Sequence, residues 1–476
     1  MKNITILLIL FFPAIAFGQQ VMQSERFKCG LTDDNMKPLF LKVKANIEAL
    51  QKSGVLHIKI AAASENMNLT LSTPTSVRFS WPLKSVNNNQ ITYYNLGNFV
   101  DLDTSKYINS GGDTVSTGAV LDYMGGERTY DGHGGIDIGI GPYYWKKKQN
   151  AEVTVIAAAE GVLVEKHENE FDGNCSWTNW TGSTNRGNHV VILHEDGTTV
   201  SYYMHMKKGS ITLKNIGAPI SRGEYLGAVA SSGFSTGPHL HFQVNVGWSH
   251  PVDDKGSRVE PFAGPSNYTT DASLWVSQKN YNEPEIYKLE THHRRSVYDY
   301  PDYYFNGCDS LIDLTTLDNS FSASQFIYPR VFLRDWISGL NISGWLLTPS
   351  GSIMQSWTHD NPENFRFAYW SKEVLLPSNA ETGTWQYNIA FNNKTYTHFF
   401  NVGCVSTYAL ISPHSGIKGF IAGNWISSSA SISGSSANKV EYRADNYVVL
   451  TPGFTATAGS TFTANTKGCI NGANGF

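Results

Sequence analysis

The chain has 476 residues, 41% hydrophobic and only 16% charged, with a formal net charge of −4 and a pI near 6.4, a length that accommodates two to four ordinary domains. An acidic balance without a basic patch excludes nucleic acid as an electrostatically recruited partner. Aromatic residues at 13% point to β-rich extracellular material, and five scattered cysteines are too few for a thiolate zinc cluster.

In chain order, Lys2 precedes the apolar run ITILLILFF, then Pro13 and the small-residue ending Ala16-Phe17-Gly18 before Gln19. This reads as a cleaved signal over 1–18, so the protein is expected to be secreted or extracytoplasmic, with no transmembrane segment. An N-terminal extension or pro-segment follows over 19–78. Its helix is expected over 33–54, where Asp33 and Asp34 lie at the start, Leu39, Val43, Ile47 and Leu50 recur at helical spacing, and Gly54 is a stop. From Phe79 to about 266 the texture changes to short strands, IDIGI, VTVIAAAEGVLV, HVVILH, TTVSYYMH and HLHFQV, divided by Gly, Asn and Ser clusters. That is the spacing of an antiparallel β domain.

A polar linker is expected over 267–299. Residues 300–405 read as an immunoglobulin-like β-sandwich, in which Trp385, Tyr387, Ile389 and Phe391 share one face and Asn392-Asn393 supplies a turn. Residues 406–476, rich in Ser, Thr, Ala and Gly, form a C-terminal β module of brief strands resembling the coathanger-stack modules of secreted bacterial proteins. Cys308 and Cys404 bracket the sandwich and are the preferred bridge, although spacing leaves the connectivity open. Cys29 reads as a disulfide partner or free thiol, with zinc binding in a latent precursor as the rival. The run Lys146-Lys147-Lys148 reads as a solvated loop, with attraction to anionic polymers as an extra.

In STGPHLHFQV, His239 and His241 share one face of a strand while Leu240 and Phe242 take the other. About 0.4 such His-x-His pairs are expected by chance in this composition, so the motif is weak alone. Upstream, TYDGHGGIDIGI separates His133 from Asp137 by three residues, and Gly134-Gly135 between them allow a tight bend. With His241 they make two nitrogens and one carboxylate oxygen, a set that suits one catalytic Zn²⁺ with an open fourth position. The helical zincin motif H-E-x-x-H is absent, since HENEF at 167 and HEDGT at 194 lack the second histidine. His205 and His239 are then the imidazoles left to accept a proton from water and to protonate the leaving amine or support the oxyanion. His189 and His194, flanking a buried strand, read as structural.

These motifs, with RGNHVVILHEDG and GAPISRGEYLGAVASSG between them, resemble the lysostaphin-type zinc metallopeptidases over roughly residues 79–250. The resemblance implies a mainly β protein, in which a compact antiparallel β metallopeptidase domain over 79–266 is followed by the sandwich and the tail. It also implies His133, Asp137 and His241 as zinc ligands and His205 and His239 as the catalytic pair. The implied activity is metalloendopeptidase cleavage of peptide cross-links in bacterial peptidoglycan. A secreted protease for Gly-rich proteins and a non-catalytic wall-binding or adhesion protein are the alternatives. Gln243 stands where the family often has an acid, Met204 replaces a smaller residue, and the segment from Glu165 to Arg186 is long. That segment, with Cys175, Trp177 and Trp180, and the stretch GPYYWKKKQ from 141 are read as groove walls.

Overall fold

The computed structural model describes residues 31, 33–56, 76–86, 92–108, 114–176, 180–248, 258–294 and 317–469. The expected signal, Cys29, Trp177 and Cys308 lie outside the described residues. Mainly β architecture is observed. The central sheet is built from β1 (Asn95–Asn98), β2 (Ile136–Gly139), β3 (Gly161–His167), β4 (Asn188–His194), β5 (Thr199–Met206), β6 (Pro219–Ile220), β7 (His239–Val246) and β8 (Arg258–Val259). Their order is β6-β3-β4-β5-β7-β2-β1, with β8 also pairing β7, and every pairing is antiparallel.

The period of two sorts β7 as expected. Leu240, Phe242 and Val244 enter the largest core with Tyr203, Ile136 and Ile138, covered by a second sheet of Leu83–Ser85, Val153–Ile156 and Tyr225–Ala228. His239, His241 and Gln243 point to the opposite face. On that face lies helix α1 (Asp33–Lys52). Its Leu39, Val43 and Ile47 bury themselves against Val164, Val191, Leu193, Val200, Tyr202 and Met204. Lys42 Nζ pairs with the buried Glu165 carboxylate at 2.6 Å, and Asn46 Nδ2 donates to the same carboxylate at 2.7 Å. Gly54 at φ 75° ends the helix, where its N–H and that of Val55 reach back to Gln51 and Leu50 carbonyls. Ile47→Ala deletes a side chain with no exposed surface, so unfolding of the docked helix should become easier by about 2–5 kcal/mol, read by hydrogen exchange of the α1 amides. Unchanged protection there would show that the helix is held by its polar contacts alone.

The stretch 267–299, expected as a linker, contains strand β9 (Glu285–Glu290). With β10 (Arg330–Trp336) and β13 (Phe365–Ser371) it makes one sheet. The facing sheet holds Ser320–Phe321, β15 (Lys394–Val402), β14 (Gly383–Phe391), β11 (Ile342–Leu347) and β12 (Ile353–His359). Trp385, Tyr387, Ile389 and Phe391 fill the core between them, and Asn392 and Asn393, at φ 47° and 60°, turn β14 into β15 as a type I′ hairpin requires.

The tail strands pair in parallel. Thr407–Leu410, Trp425–Ser428 and Tyr447–Leu450 form one ladder, and Ile417–Ala422, Lys439–Ala444 and Thr461–Asn465 a second. These are stacked coils with Ile426, Ile432, Val440 and Tyr442 inside. Cys404 is bonded to Cys469, tying the end of the sandwich to the end of the tail, so the bridge expected from Cys308 to Cys404 does not form. Equal brackets around a domain were no guide, because the coils carry Cys469 back to the sandwich edge.

GPYYWKKKQ is also reassigned. It leads into helix α2 (Tyr144–Gln149), and the Tyr143 and Tyr144 rings pack against the sandwich. Tyr143 meets Phe332 at 5.1 Å and Tyr144 meets Phe367 at 5.5 Å between ring centroids. Lys147 is not solvated: its Nζ donates to the Gly141 carbonyl at 2.6 Å, and burial pushes its ammonium down to about 7.

Candidate metal centre

Strands β2 and β7 lie side by side with His241 directly opposite Asp137, and the preceding loop brings His133 back over both. The three side chains have no exposed surface. Asp137 Oδ1 is 3.1 Å from His133 Nε2 and 3.0 Å from His241 Nδ1, and the two nitrogens are 3.2 Å apart. Ligand atoms about 2.0 Å from a tetrahedral zinc stand about 3.3 Å from each other, so the triangle has the size of one face of such a site.

Proton bookkeeping supports the same fit. His133 Nδ1 lies 2.7 Å from the Phe99 carbonyl and donates to it. His241 Nε2 is 3.3 Å from Gln243 Oε1, whose amide nitrogen donates to Asn245 Oδ1 at 2.7 Å. In the neutral tautomers these bonds select, the nitrogens facing the triangle carry lone pairs, and they converge on a carboxylate oxygen. A metal cation would satisfy all three acceptors at once. Burial pushes the Asp137 carboxyl up, but the imidazoles of His133 and His239 beside it outweigh that and hold it well below the usual carboxylate range. Burial lowers His241, against the opposing bond and charge of Asp137.

The glycines between His133 and Asp137 matter for space. A Cβ on Gly135 would stand 2.6 Å from His241 Nε2 and 2.7 Å from the Phe242 carbonyl. Gly135→Ala must therefore push the His241 ring out of register and should weaken zinc binding roughly tenfold in a chelator competition. Parent affinity in that variant would mean the ring has slack that the packing denies.

His205 and His239 flank the triangle. His239 Nδ1 donates to the Gly237 carbonyl at 2.7 Å, and its Nε2 stands 3.5 Å from Asp137 Oδ1. His205 Nδ1 donates to the Ser232 carbonyl at 2.7 Å, and its Nε2 is buried without a hydrogen-bond partner. Ring centroids lie 4.8 Å from His205 to His239 and 6.0 Å from His205 to His241. Burial, then the charges of His239 and His241, hold His205 well below the usual imidazole range.

His205 reaches this face only through a β-bulge. It shares parity with Tyr203, which faces the core, and simple alternation would bury it there. At φ 62°, with the β4–β5 register shifting between Asn188 and Val190, the strand turns Met204 and His205 to one side and returns Met206 to the core.

All five expected site residues are thus brought together. Gln243, standing where the family often has an acid, supports the His241 ring. Met204 lies on the site face under α1. Trp180 meets Phe234 at 6.0 Å between ring centroids, while Glu165 anchors α1. His189 and His194 hydrogen-bond through Nδ1 to the Gly187 and Glu160 carbonyls. Sequence reasoning missed Asn98, whose Nδ2 donates to Asp137 Oδ2 at 3.0 Å, and Tyr130, whose ring lies 4.3 Å from that of His133. Neither carries a spacing signal that ties it to the ligands.

Residues 131–261 match the model of Peptidase family M23. All five residues fall in this stretch. Over 143 residues the chain is 32% identical to the glycyl-glycine endopeptidase ALE-1 of Staphylococcus capitis, covering 30% of this chain and 35% of that protein. Over 114 residues it is 31% identical to lysostaphin of Staphylococcus staphylolyticus, 24% of this chain and 19% of that one. Over 94 residues it is 29% identical to the peptidoglycan DD-endopeptidase ShyC of Vibrio cholerae serotype O1, 20% and 18% respectively. The match thus spans at most about a third of the length of these curated relatives. The solved catalytic domain of lysostaphin from Staphylococcus simulans aligns with 27% of this chain and 75% of its own at 25% identity, with a TM-score of 0.19.

Proposed function

We propose that this protein is a zinc metalloendopeptidase that acts outside the cytoplasm and hydrolyses peptide cross-links of bacterial peptidoglycan. The observation that carries the reading is the convergence of His133 Nε2, Asp137 Oδ1 and His241 Nδ1 into one buried triangle of acceptors. The match to Peptidase family M23 and the relatives named for cutting glycyl-glycine bonds or peptidoglycan support the substrate class. The apolar start of the chain and the Cys404–Cys469 disulfide support an oxidising compartment. Among the described residues no helix is long and apolar enough to cross a membrane.

One Zn²⁺ per chain, when bound, would supply Lewis acidity toward the scissile carbonyl and toward a water. The chain supplies the proton handling. With Nδ1 of His205 and of His239 tied to carbonyls, Nε2 of each ring is the nitrogen left to handle protons: the ring that takes the proton of the attacking water becomes an imidazolium, and that same proton is then passed, directly or through the other ring, to the leaving amine. His133, Asp137 and His241 orient the site and contribute a single negative charge to it.

Purified cell walls incubated with the protein should release new amino groups, and mass spectrometry of the muropeptides should locate the cut bond, with elastin as the comparison substrate. Preference for elastin would favour the Gly-rich protein reading. Wall binding without release of amino groups would leave a non-catalytic adhesin.

A further inference from the structure

The edge strand β1 and the three residues after it line the ligand loop. Asn98 Nδ2 donates to Asp137 Oδ2 at 3.0 Å, leaving Oδ1 as the oxygen that meets His133 and His241. The Phe99 carbonyl receives His133 Nδ1 at 2.7 Å, and the Asp101 N–H donates to the His133 carbonyl at 2.8 Å. A bulge between Leu96 and Asn98 sets Asn98 opposite Asp137. Three outer partners of the proposed ligands therefore come from one segment at the margin of the sheet.

The sandwich grips that segment. Arg366 donates to the Gly97 carbonyl, and Tyr287 Oη donates to the Tyr94 carbonyl at 2.9 Å. Arg334 donates to Thr92 Oγ1 at 2.9 Å and lies 4.7 Å from the Tyr94 ring. Arg128, on the peptidase side, donates to the Leu96 carbonyl and pairs with Asp335 of the sandwich at 3.0 Å, both side chains being buried. Phe332, Phe367 and Tyr369 of the sandwich join the peptidase core itself. An edge strand left open would fray and slip, and here Arg366 of the sandwich closes the Gly97 carbonyl while Arg128, itself paired with Asp335 of the sandwich, closes that of Leu96.

We propose that the sandwich is a structural part of the metal centre: by holding β1 it positions Asn98 and the Phe99 carbonyl, which determine the atoms that Asp137 and His133 offer to the ion. Asn98 and Arg366 act as positioning residues and touch neither substrate nor reacting atoms. The inference rests on the metal-site reading above but not on the substrate.

The test is the zinc affinity of the full chain, measured by competition with a chelating dye, together with thermal unfolding without metal and the visible bands of the cobalt-loaded protein. Asn98→Ala should weaken zinc binding roughly 10- to 100-fold, the usual cost of an outer-sphere partner, and shift the cobalt bands because Asp137 Oδ2 then loses the amide donor that holds it. Arg366→Ala, at a half-buried site some 270 residues from Asn98 in sequence, should weaken zinc in the same direction by roughly tenfold. Should Asn98→Ala fail to fold, Arg366→Ala alone decides. Parent zinc affinity and parent cobalt bands in a folded Arg366→Ala protein would overturn the proposal. A parent protein that binds zinc but leaves walls uncut would instead sink the proposed function and leave this inference intact.

Discussion

Replacing His241 with alanine should abolish stoichiometric zinc and reduce amino-group release from purified walls to background, a loss on the order of 10³-fold or more in kcat/KM. The triangle then keeps two of its three atoms, and a catalytic site needs all three to retain the ion while leaving a position open. The loss is also electrostatic, since the Asp137 carboxylate is completely buried and would lose the imidazole 3.0 Å from its Oδ1 while His133 and His239 remain near it. Elemental analysis beside a muropeptide assay reads both effects. Full activity in that variant, or normal metal content, would falsify the assignment of His241.

The second large effect is expected from the imidazoles outside the triangle. His239→Ala and His205→Ala should each lower kcat by about 10²–10⁴-fold, the usual worth of a positioned general acid or base, while zinc content stays at one per chain. Because the two rings serve one proton circuit, the double variant should be little worse than the weaker single one. Loss of metal in either variant would instead mark that residue as part of the ion's support. Retention of parent kcat in both would leave the proton transfers to groups not yet named.

Much of this arrangement was readable from spacing. A strand's alternation tells which side His239 and His241 share, helical spacing finds α1, and a run such as WQYNIAF followed by Asn392-Asn393 declares a hairpin. Each of those signals is local. His205 shows the limit: alternation from Tyr203 sends it into the core, and only a bulge in the pairing of β5 with the neighbouring β4 turns it outward. Asn98 was invisible for a similar reason, because its role depends on register with Asp137 39 residues away. The parallel coils of the tail depend on which strand lies above which, and brief strands do not encode that. Cys404 found Cys469 through those same coils.

Helix α1 shares its side of the central sheet with the histidines, and this bears on any attempt to activate the protein by trimming. A polypeptide begun near Phe79 would leave Val191, Leu193, Val200, Tyr202 and Met204 as a bare oily strip beside the cleavage machinery. Such a fragment would clump or grip whatever greasy surface it met, so weak turnover by the shortened chain would report stickiness as readily as the loss of a needed wall.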